Sequence, residues 1–277
     1  MAIRPDLLTY ENHLGEKIDF GRFGLYLDEN TLHDYSWDVS YQGKRISRFS
    51  RETRTLKFDF LVASPAYFAN NRDLRGELFS ITEKDIADKQ YGKLIIGDYY
   101  LKCYVVASEK YTCEHNRSLM GYSFTVETDF PHWISEHTTQ FRKTEDESED
   151  NLDYPYDYPY DYYSGGNSQR IVNSFFAPVD FRLTIFGAVN NPAIVIGGHA
   201  YRVNTTVQSG EYLTIDSMNK TIVLTQNNGT KVNKFDYRDR ANYIFEPIPS
   251  GASPVTWLGD FAFDLTLIEK RSEPAWT

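Results

Sequence analysis

The 277-residue chain has few of the features that disulfide frameworks, metal sites or membrane spans require. Its two cysteines cannot build a disulfide framework or a four-thiolate zinc site. Its longest apolar runs, such as residues 193–196, are far shorter than the roughly 18–20 residues that cross a bilayer. The opening segment, MAIRPDLLTYENH, has no charged stretch leading into an apolar core. We therefore expect a soluble protein, made in the cytoplasm without a secretory signal and without membrane partners.

Positive charge is also scarce, with 29 Lys and Arg against 39 Asp and Glu and a net charge of −10. Binding to duplex nucleic acid requires a surplus of basic residues, so this balance disfavours it. Most of the acidity is local, because residues 144–163 hold eight acidic residues and no basic one. The chain length fits two domains of ordinary size.

Motifs that carry nucleotide or acyl chemistry are missing as well. The sequence contains no Gly-x-Gly-x-x-Gly or Walker-type loop and no Gly-x-Ser-x-Gly elbow. Cys103 lies on an alternating apolar face and is predicted to be a buried reduced thiol. Cys113, Glu114 and His115 match no zinc spacing. A distant pair of carboxylates for glycan hydrolysis is an alternative that spacing alone cannot test.

The histidines give equally weak site signals. His132 and His137 flank Trp133 without a carboxylate pattern, which favours an aromatic plug at the end of a domain over a ligand pair. His199 follows Gly197-Gly198 and is predicted to lie at a surface turn. We therefore predict no catalytic, cofactor-binding or metal-ligating residues, and no cofactor.

Aromatic residues are abundant, at 16% of the chain, and they favour β structure. Residues 54–61, 100–106 and 120–126 alternate apolar and polar side chains, which predicts antiparallel strands with one buried face. One helix is expected between them, with Ser64 and Pro65 as N-cap and first residue and an end near Glu77. Leu74, Leu78 and Ile81 are its apolar positions. This predicts a β domain over residues 1–138.

An acidic Tyr/Pro linker is predicted over residues 139–168. The repeat Asp-Tyr-Pro-Tyr occurs at 153–156 and 157–160, and Pro155 and Pro159 cannot donate in a sheet. Like charges and prolines favour an extended chain. Its tyrosines suit either a strap that docks on a neighbouring subunit or a stiff, soluble spacer.

Short strand signals dominate residues 169–277. They fall at 181–186, 193–196, 201–207, 213–216, 221–225, 243–246 and 261–268, with a Pro-rich turn at 247–254. Their spacing predicts an all-β sandwich.

The two domain ends resemble a known family. The chain closes with IPSG at 248–251, WLGDF at 257–261 and FDLTLIEKRSEPAW at 263–276, an ending with the pattern Arg-Ser-x-Pro-x-Trp. The first domain closes with FPHWI at 130–134. These segments resemble the distal tail proteins of long, non-contractile phage tails.

The resemblance implies a structural virion protein at the distal end of the tail, and not an enzyme. It implies an N-terminal β domain with a hairpin and a helix, which forms a homohexameric ring, and a peripheral galectin-like or carbohydrate-module-like sandwich. The ring would join the tail tube protein to the tail hub and hold receptor-binding or fibre proteins, with DNA only passing through its channel.

Candidate ring-forming segments are residues 25–41 and 42–50. Lys44, Arg45, Arg48 and Arg51 form a basic cluster that could face the channel or an acidic neighbour, while a solvated hairpin tip is the plainer interpretation. An alternative function is a carbohydrate-binding module that contacts host glycans, with a saccharide as its ligand.

Overall fold

The computed structural model describes residues 8–21, 25–63, 70–112, 119–143 and 167–275. The chain divides into two compact units, Met1–Ser135 with Lys270–Thr277 and Glu136–Glu269. Strands make up 58% and helix 7% of the structure, so the predicted mainly β class is confirmed. Ser64, Pro65, Cys113 and the acidic repeat lie outside the described residues.

In its described residues, the first unit contains one large antiparallel sheet, a separate two-stranded hairpin and one helix. Its elements are β1 (Leu8–Glu11), β2 (Lys17–Asp19), β3 (Leu25–Asn30), β4 (Asp38–Gln42), β5 (Arg45–Ser50), β6 (Arg54–Ala63), α1 (Asn70–Asp88), β7 (Gly92–Ile96), β8 (Tyr99–Thr112), β9 (Leu119–Thr128) and the start of β10 (Trp133–Phe141). The strand order is β2-β1-β7-β8-β9-β6-β3, and β8 pairs with β7 through its first half and with β9 through its second.

The predicted buried faces of this sheet are confirmed. Phe58 and Phe60 of β6 are fully buried, and they meet Phe124 of β9 with ring centroids 5.7 and 4.8 Å away. Phe20 closes the same aromatic cluster from the loop after β2. Alternation along each strand therefore places one side chain in two inside the core.

The helix extends further than the sequence predicts. It runs to Asp88, so the expected end near Glu77 is wrong. Leu78, Ile81, Thr82 and Asp85 are buried and share one helical face. Two of these four residues are polar, which hides the apolar periodicity of the second half from the sequence.

Among the described residues, the second unit contains two larger antiparallel sheets around one core and a short two-stranded sheet of residues 189–190 and 206–207. Its strands are the end of β10, then β11 (Asn167–Asn173), β12 (Asp180–Phe186), β13 (Val189–Asn190), β14 (Ala193–Ile196), β15 (His199–Arg202), β16 (Thr206–Val207), β17 (Tyr212–Asp216), β18 (Thr221–Thr225), β19 (Lys231–Asn233), β20 (Gly251–Trp257) and β21 (Phe263–Arg271). The sheets have the orders β19-β18-β17-β12-β21-β10 and β11-β20-β14-β15. Phe181 of one sheet contacts Tyr201 of the other at 5.0 Å between ring centroids.

Several strand predictions hold in this unit, and two fail. Residues 193–196 and 221–225 are strands as predicted. The expected strand at 201–207 is divided between β15 and β16, because Val203 bridges to Arg238 instead of continuing the ladder. Residues 243–246 form a turn, in which the Glu246 amide donates to the Tyr243 carbonyl at 3.1 Å.

The Pro-rich turn predicted at 247–254 is partly a strand. β20 begins at Gly251 and pairs with both β11 and β14. β14 pairs with β20 only at Val255 and Thr256, so Pro254 lies just beyond this pairing, and a proline is tolerated there. The Pro254 carbonyl still accepts a hydrogen bond from the Gly197 amide at 2.9 Å.

Candidate assembly surface

Strands β4 and β5 form a hairpin that pairs with none of the other described strands. Its two-residue turn is Gly43-Lys44, and Gly43 has a φ of +65°, which a glycine adopts without steric cost. The turn therefore lies within the basic cluster, where the plainer interpretation of the sequence expected a solvated hairpin tip. An isolated two-stranded hairpin has marginal stability by itself.

One face of the hairpin is apolar. Val39 pairs with Phe49 and Tyr41 pairs with Ile46, so these four side chains lie on the same side. All four are exposed, with exposed fractions of 36%, 58%, 68% and 53% respectively. This set, the apolar hairpin face, lies within residues 34–49, all of which are exposed.

The opposite face is polar and largely basic. Ser40 pairs with Arg48 and Gln42 pairs with Arg45, while Lys44 occupies the turn. The structure thus brings three of the four predicted basic residues together on the hairpin. The fourth, Arg51, follows the hairpin and contacts Tyr35, Trp37 and the carbonyl oxygen of Pro131 instead.

Arg51 lies where the hairpin joins β6, stacked against aromatic rings. Its Cζ is 4.5 Å from the ring centroid of Trp37 and 5.7 Å from that of Tyr35. Its Nη1 donates to the carbonyl oxygen of Pro131 at 2.7 Å. Trp37 in turn meets Phe49 edge to face at 6.5 Å, which connects Arg51 with the apolar hairpin face.

The remaining nitrogens of Arg51, Nε and Nη2, are buried and have no hydrogen-bond partner among the described residues. Arg51 lines a cavity of about 180 Å³ with Ser36, Asp38, Glu52, Thr53, Arg54 and Pro131. Burial, followed by the charge of Arg54, lowers the pKa of Arg51. The same region lowers the pKa of His132 to about 4, through burial first and then the charges of Arg51 and Lys270.

A second polar group, which sequence patterns do not reveal, joins α1 to β1 and the turn after it. Asp85 is fully buried and accepts a short hydrogen bond from the Tyr10 hydroxyl. His13 donates to Asp85 from its backbone amide at 2.9 Å and from Nδ1 at 2.5 Å, and its Nε2 is 3.1 Å from Asp88. The hydrogen bond to Asp85 raises the pKa of His13. Because these partners lie about 70 residues apart, no local motif marks them.

This network contains general acid–base groups but is packed as a structural anchor. Burial raises the pKa of Tyr10, and Asp85 has no exposed surface. Lys84 binds Glu16 at 2.6 Å on the rim of the same contact.

The predicted thiol and histidine positions do not converge on a site. Cys103 is buried and free, as predicted, and burial raises its pKa. His137 is exposed, whereas His132 is half-buried and stacks on Phe130 at 4.8 Å. His199 lies on β15, where its Nε2 is 2.9 Å from the Tyr243 carbonyl. Within the described ranges, no group of three or more His, Cys, Asp or Glu side chains could hold a metal ion.

The second unit exposes a separate aromatic and basic surface. Tyr237 and Tyr243 are 49% and 56% exposed. Lys234 lies 4.5 Å from the Tyr237 ring centroid and Lys220 lies 5.6 Å from that of Tyr243. Backbone hydrogen bonds fix this loop, since the Asn204 amide donates to the Tyr237 carbonyl at 2.7 Å.

None of the helical residues that the structure describes forms a segment long and apolar enough to span a membrane.

The chain matches no protein-family model and no curated protein. Solved structures do match it. The Dit protein of phage SPP1, described as a paradigm of the hub adsorption apparatus in Gram-positive-infecting phages, has a TM-score of 0.56 and 10% identity, over 95% of this chain and 99% of its own. A chain of the phage P2 baseplate, in its activated conformation with calcium, has a TM-score of 0.60 and 12% identity, over 97% and 99%. The same baseplate with strontium gives a TM-score of 0.59.

The resemblance that the sequence predicts is thus confirmed at the level of the fold. Nearly the whole length of each chain is covered, so the likeness is not confined to one sheet.

Proposed function

We propose that this protein is a structural component of a phage tail tip, a distal tail protein that assembles into a closed ring of six copies. In this proposal the ring joins the tail tube protein to the tail hub and holds receptor-binding or fibre proteins. The protein works as a building block of the virion and not as an enzyme. The observation that carries the proposal is the exposed apolar hairpin face, in a chain whose fold matches baseplate proteins over almost its whole length.

Ring closure explains why such a face would be kept on the surface. A cyclic ring needs two different complementary patches on every copy, because each contact is heterologous. Tyr, Trp, Phe and Arg are the residues that interface centres favour, and Trp37, Tyr41, Phe49 and Arg51 supply all four types. The domain assignment that we propose keeps residues 1–138 in the ring, 139–168 as linker and 169–277 at the periphery.

The basic hairpin residues have a role in the same proposal. Lys44, Arg45 and Arg48 carry positive charge on the polar face of an acidic protein. They would face either the channel through which DNA passes or an acidic neighbouring chain.

Negative-stain imaging of the full chain tests this proposal, alone and with its tube and hub neighbours. Sixfold ring-shaped particles are expected. Isolated particles in every mixture would contradict the ring.

A second candidate function, saccharide binding at the periphery, is favoured by the exposed Tyr237 and Tyr243. Aromatic rings held by backbone hydrogen bonds offer flat apolar surfaces beside Lys220 and Lys234. A glycan array tests it with Tyr237→Ala and Tyr243→Ala, and with Tyr212→Ala as the control. Binding that the first two changes abolish would support it, and the absence of any bound glycan would contradict it.

A further inference from the structure

Among the described residues of the first unit, the guanidinium of Arg51 has two buried nitrogen atoms without a hydrogen-bond partner. Its Nη1 donates a hydrogen bond to the Pro131 carbonyl, but the buried Nε and Nη2 have no acceptor among the described residues. A buried donor without an acceptor loses its hydration without compensation, and this cost is larger for a charged group. The arrangement is therefore unfavourable unless an acceptor from outside the described residues completes it.

The geometry of the free nitrogens specifies the acceptor. Nε and Nη2 form one edge of the planar guanidinium, and two parallel N–H groups on such an edge match the two oxygens of a carboxylate. Trp37 and Tyr35 hold the plane by stacking, and the Pro131 carbonyl fixes the other edge. Arg51 is thus oriented before a partner arrives.

The two described carboxylates that line the cavity do not fill that role. Asp38 and Glu52 line the same cavity, yet neither forms a hydrogen bond with the buried Nε or Nη2 of Arg51. Their negative charges oppose a polyanion such as the DNA backbone, while Arg54 balances part of that charge. A cavity of about 180 Å³ accommodates one carboxylate side chain with a few waters, at about 30 Å³ per water.

We propose that Arg51 is a specificity-determining anchor, whose Nε and Nη2 edge binds an Asp or Glu carboxylate from a second copy of this chain when the apolar hairpin face is covered. This inference rests on the proposed ring. The second copy is favoured because Trp37 connects Arg51 with Phe49, so one docking partner would cover both.

The site needs a local adjustment at docking. Nε and Nη2 are covered in the separate chain, and the segment that contributes Tyr35 and Trp37 is exposed throughout. A partner that packs on residues 34–49 therefore acts on the same segment that stacks over the guanidinium. Burial first, and then the neighbouring positive charges, lowers the pKa of both Arg51 and His132.

Sedimentation equilibrium on the full chain tests this inference, using Arg51→Lys, with Arg170→Lys and Arg202→Lys, two exposed arginines of the second unit, as matched controls. Lysine keeps the charge but loses the bidentate edge. We expect Arg51→Lys to weaken self-association roughly ten- to hundredfold, and the controls to change it less than about threefold. The effect should persist in 0.5 M NaCl, because a buried pair is screened less than an exposed one.

A second measurement follows the Arg51 Nε–H resonance by ¹⁵N NMR, identified by its absence in Arg51→Lys. Self-association of the wild type should shift it, and sodium acetate at constant ionic strength should shift it where sodium chloride does not. If inorganic phosphate shifts the resonance and acetate does not, the proposal that Arg51 binds a carboxylate is contradicted. If the wild type assembles and Arg51→Lys assembles equally well, the anchor is wrong while the proposed ring stands. A wild type that stays monomeric at every concentration would remove the second copy as the occupant and count against the ring itself.

Discussion

Two antiparallel strand pairs in the first unit each place apolar side chains on one face, but one of these faces is buried and the other is exposed. β6 and β9 alternate apolar and polar residues, and the apolar side chains Phe58, Phe60 and Phe124 are buried. β4 and β5 also place their apolar residues on one face, yet Tyr41, Ile46 and Phe49 are exposed. A register shift between Ser40 and Tyr41 interrupts the alternation of β5, but both pairs gather apolar residues on one face, and the main difference is the layer that covers it.

This difference shows that amphipathic patterning specifies a face but not the molecule that covers it. Helix α1 and neighbouring strands cover the β6–β9 face within one chain. The hairpin has no such cover among the described residues, and an exposed apolar patch of this kind marks an interaction site. Stability and assembly should therefore depend on different residues.

Truncating one phenylalanine in each pair gives the largest expected contrast. Phe58→Ala should lower the free energy of unfolding of the first unit by about 3–5 kcal/mol, because it opens a cavity in a closed core. Phe49→Ala should change it by less than about 0.5 kcal/mol, since an exposed side chain loses little contact. Urea unfolding followed by circular dichroism measures both, and equal losses would erase the distinction between the pairs.

The polar anchor under α1 tests whether buried polar groups behave like the aromatic core. Asp85→Ala should cost about 2–3 kcal/mol, because it leaves the Tyr10 hydroxyl and the His13 amide without their acceptor. Asp88→Ala is the matched control, because its side chain is 60% exposed, and it should cost under about 0.5 kcal/mol. The same urea titrations compare them; similar losses would mean that Asp85 is not the anchor.

Breaking the hairpin turn should affect the exposed pair alone. Gly43→Ala places a side chain at a φ of +65° and should destabilise the hairpin by about 1–2 kcal/mol. Hydrogen exchange should then speed up in β4 and β5 while β6 and β9 keep their protection. Gly76→Ala, at an exposed helix position with open space, is a control that should leave the hairpin amides unchanged. Faster exchange throughout the sheet would show that the hairpin is not an independent element.

His13 and His132 should make stability depend on pH in opposite directions, with effects smaller than those of the substitutions above. The pKa of His13 is raised above 6.5, so its stabilising contribution is complete below pH 6.5 and is lost as the pH rises through the raised value. The pKa of His132 is lowered to about 4, so the unfolded chain binds a proton first and stability falls between pH 6.5 and 4. Melting temperatures from pH 4 to 8 should therefore lose their alkaline decline in His13→Gln and their acidic decline in His132→Gln. If neither variant differs in slope from the wild type, the assigned directions are wrong.

Local patterning predicted the elements whose partners lie close in the same sheet. Strict alternation identified β6, β8 and β9, and turn residues identified β14 and β18 with their limits. It failed where tertiary contacts override local preference. α1 continues past Glu77 because its polar residues Thr82 and Asp85 are buried with hydrogen-bond partners, and Pro254 enters a strand just beyond the residues that pair with β14.

The candidate surface was only partly predictable for a related reason. The basic residues of the hairpin stand out in the sequence, as does Tyr41, but the unsatisfied edge of Arg51 depends on Pro131, which lies 80 residues away. Nothing in the spacing of these residues indicates that contact. The predicted Tyr/Pro strap falls outside the described residues and stays a prediction.

Light scattering coupled to size exclusion, on the wild type and on a Tyr41→Ser/Phe49→Ser variant, tests the central claim most directly. Six copies of a 32.1 kDa chain give about 190 kDa. We predict a ring of that mass for the wild type and a single chain for the variant, with equal melting temperatures for the separate chains. Equal masses for both proteins would contradict the claim that the apolar hairpin face joins one copy to the next.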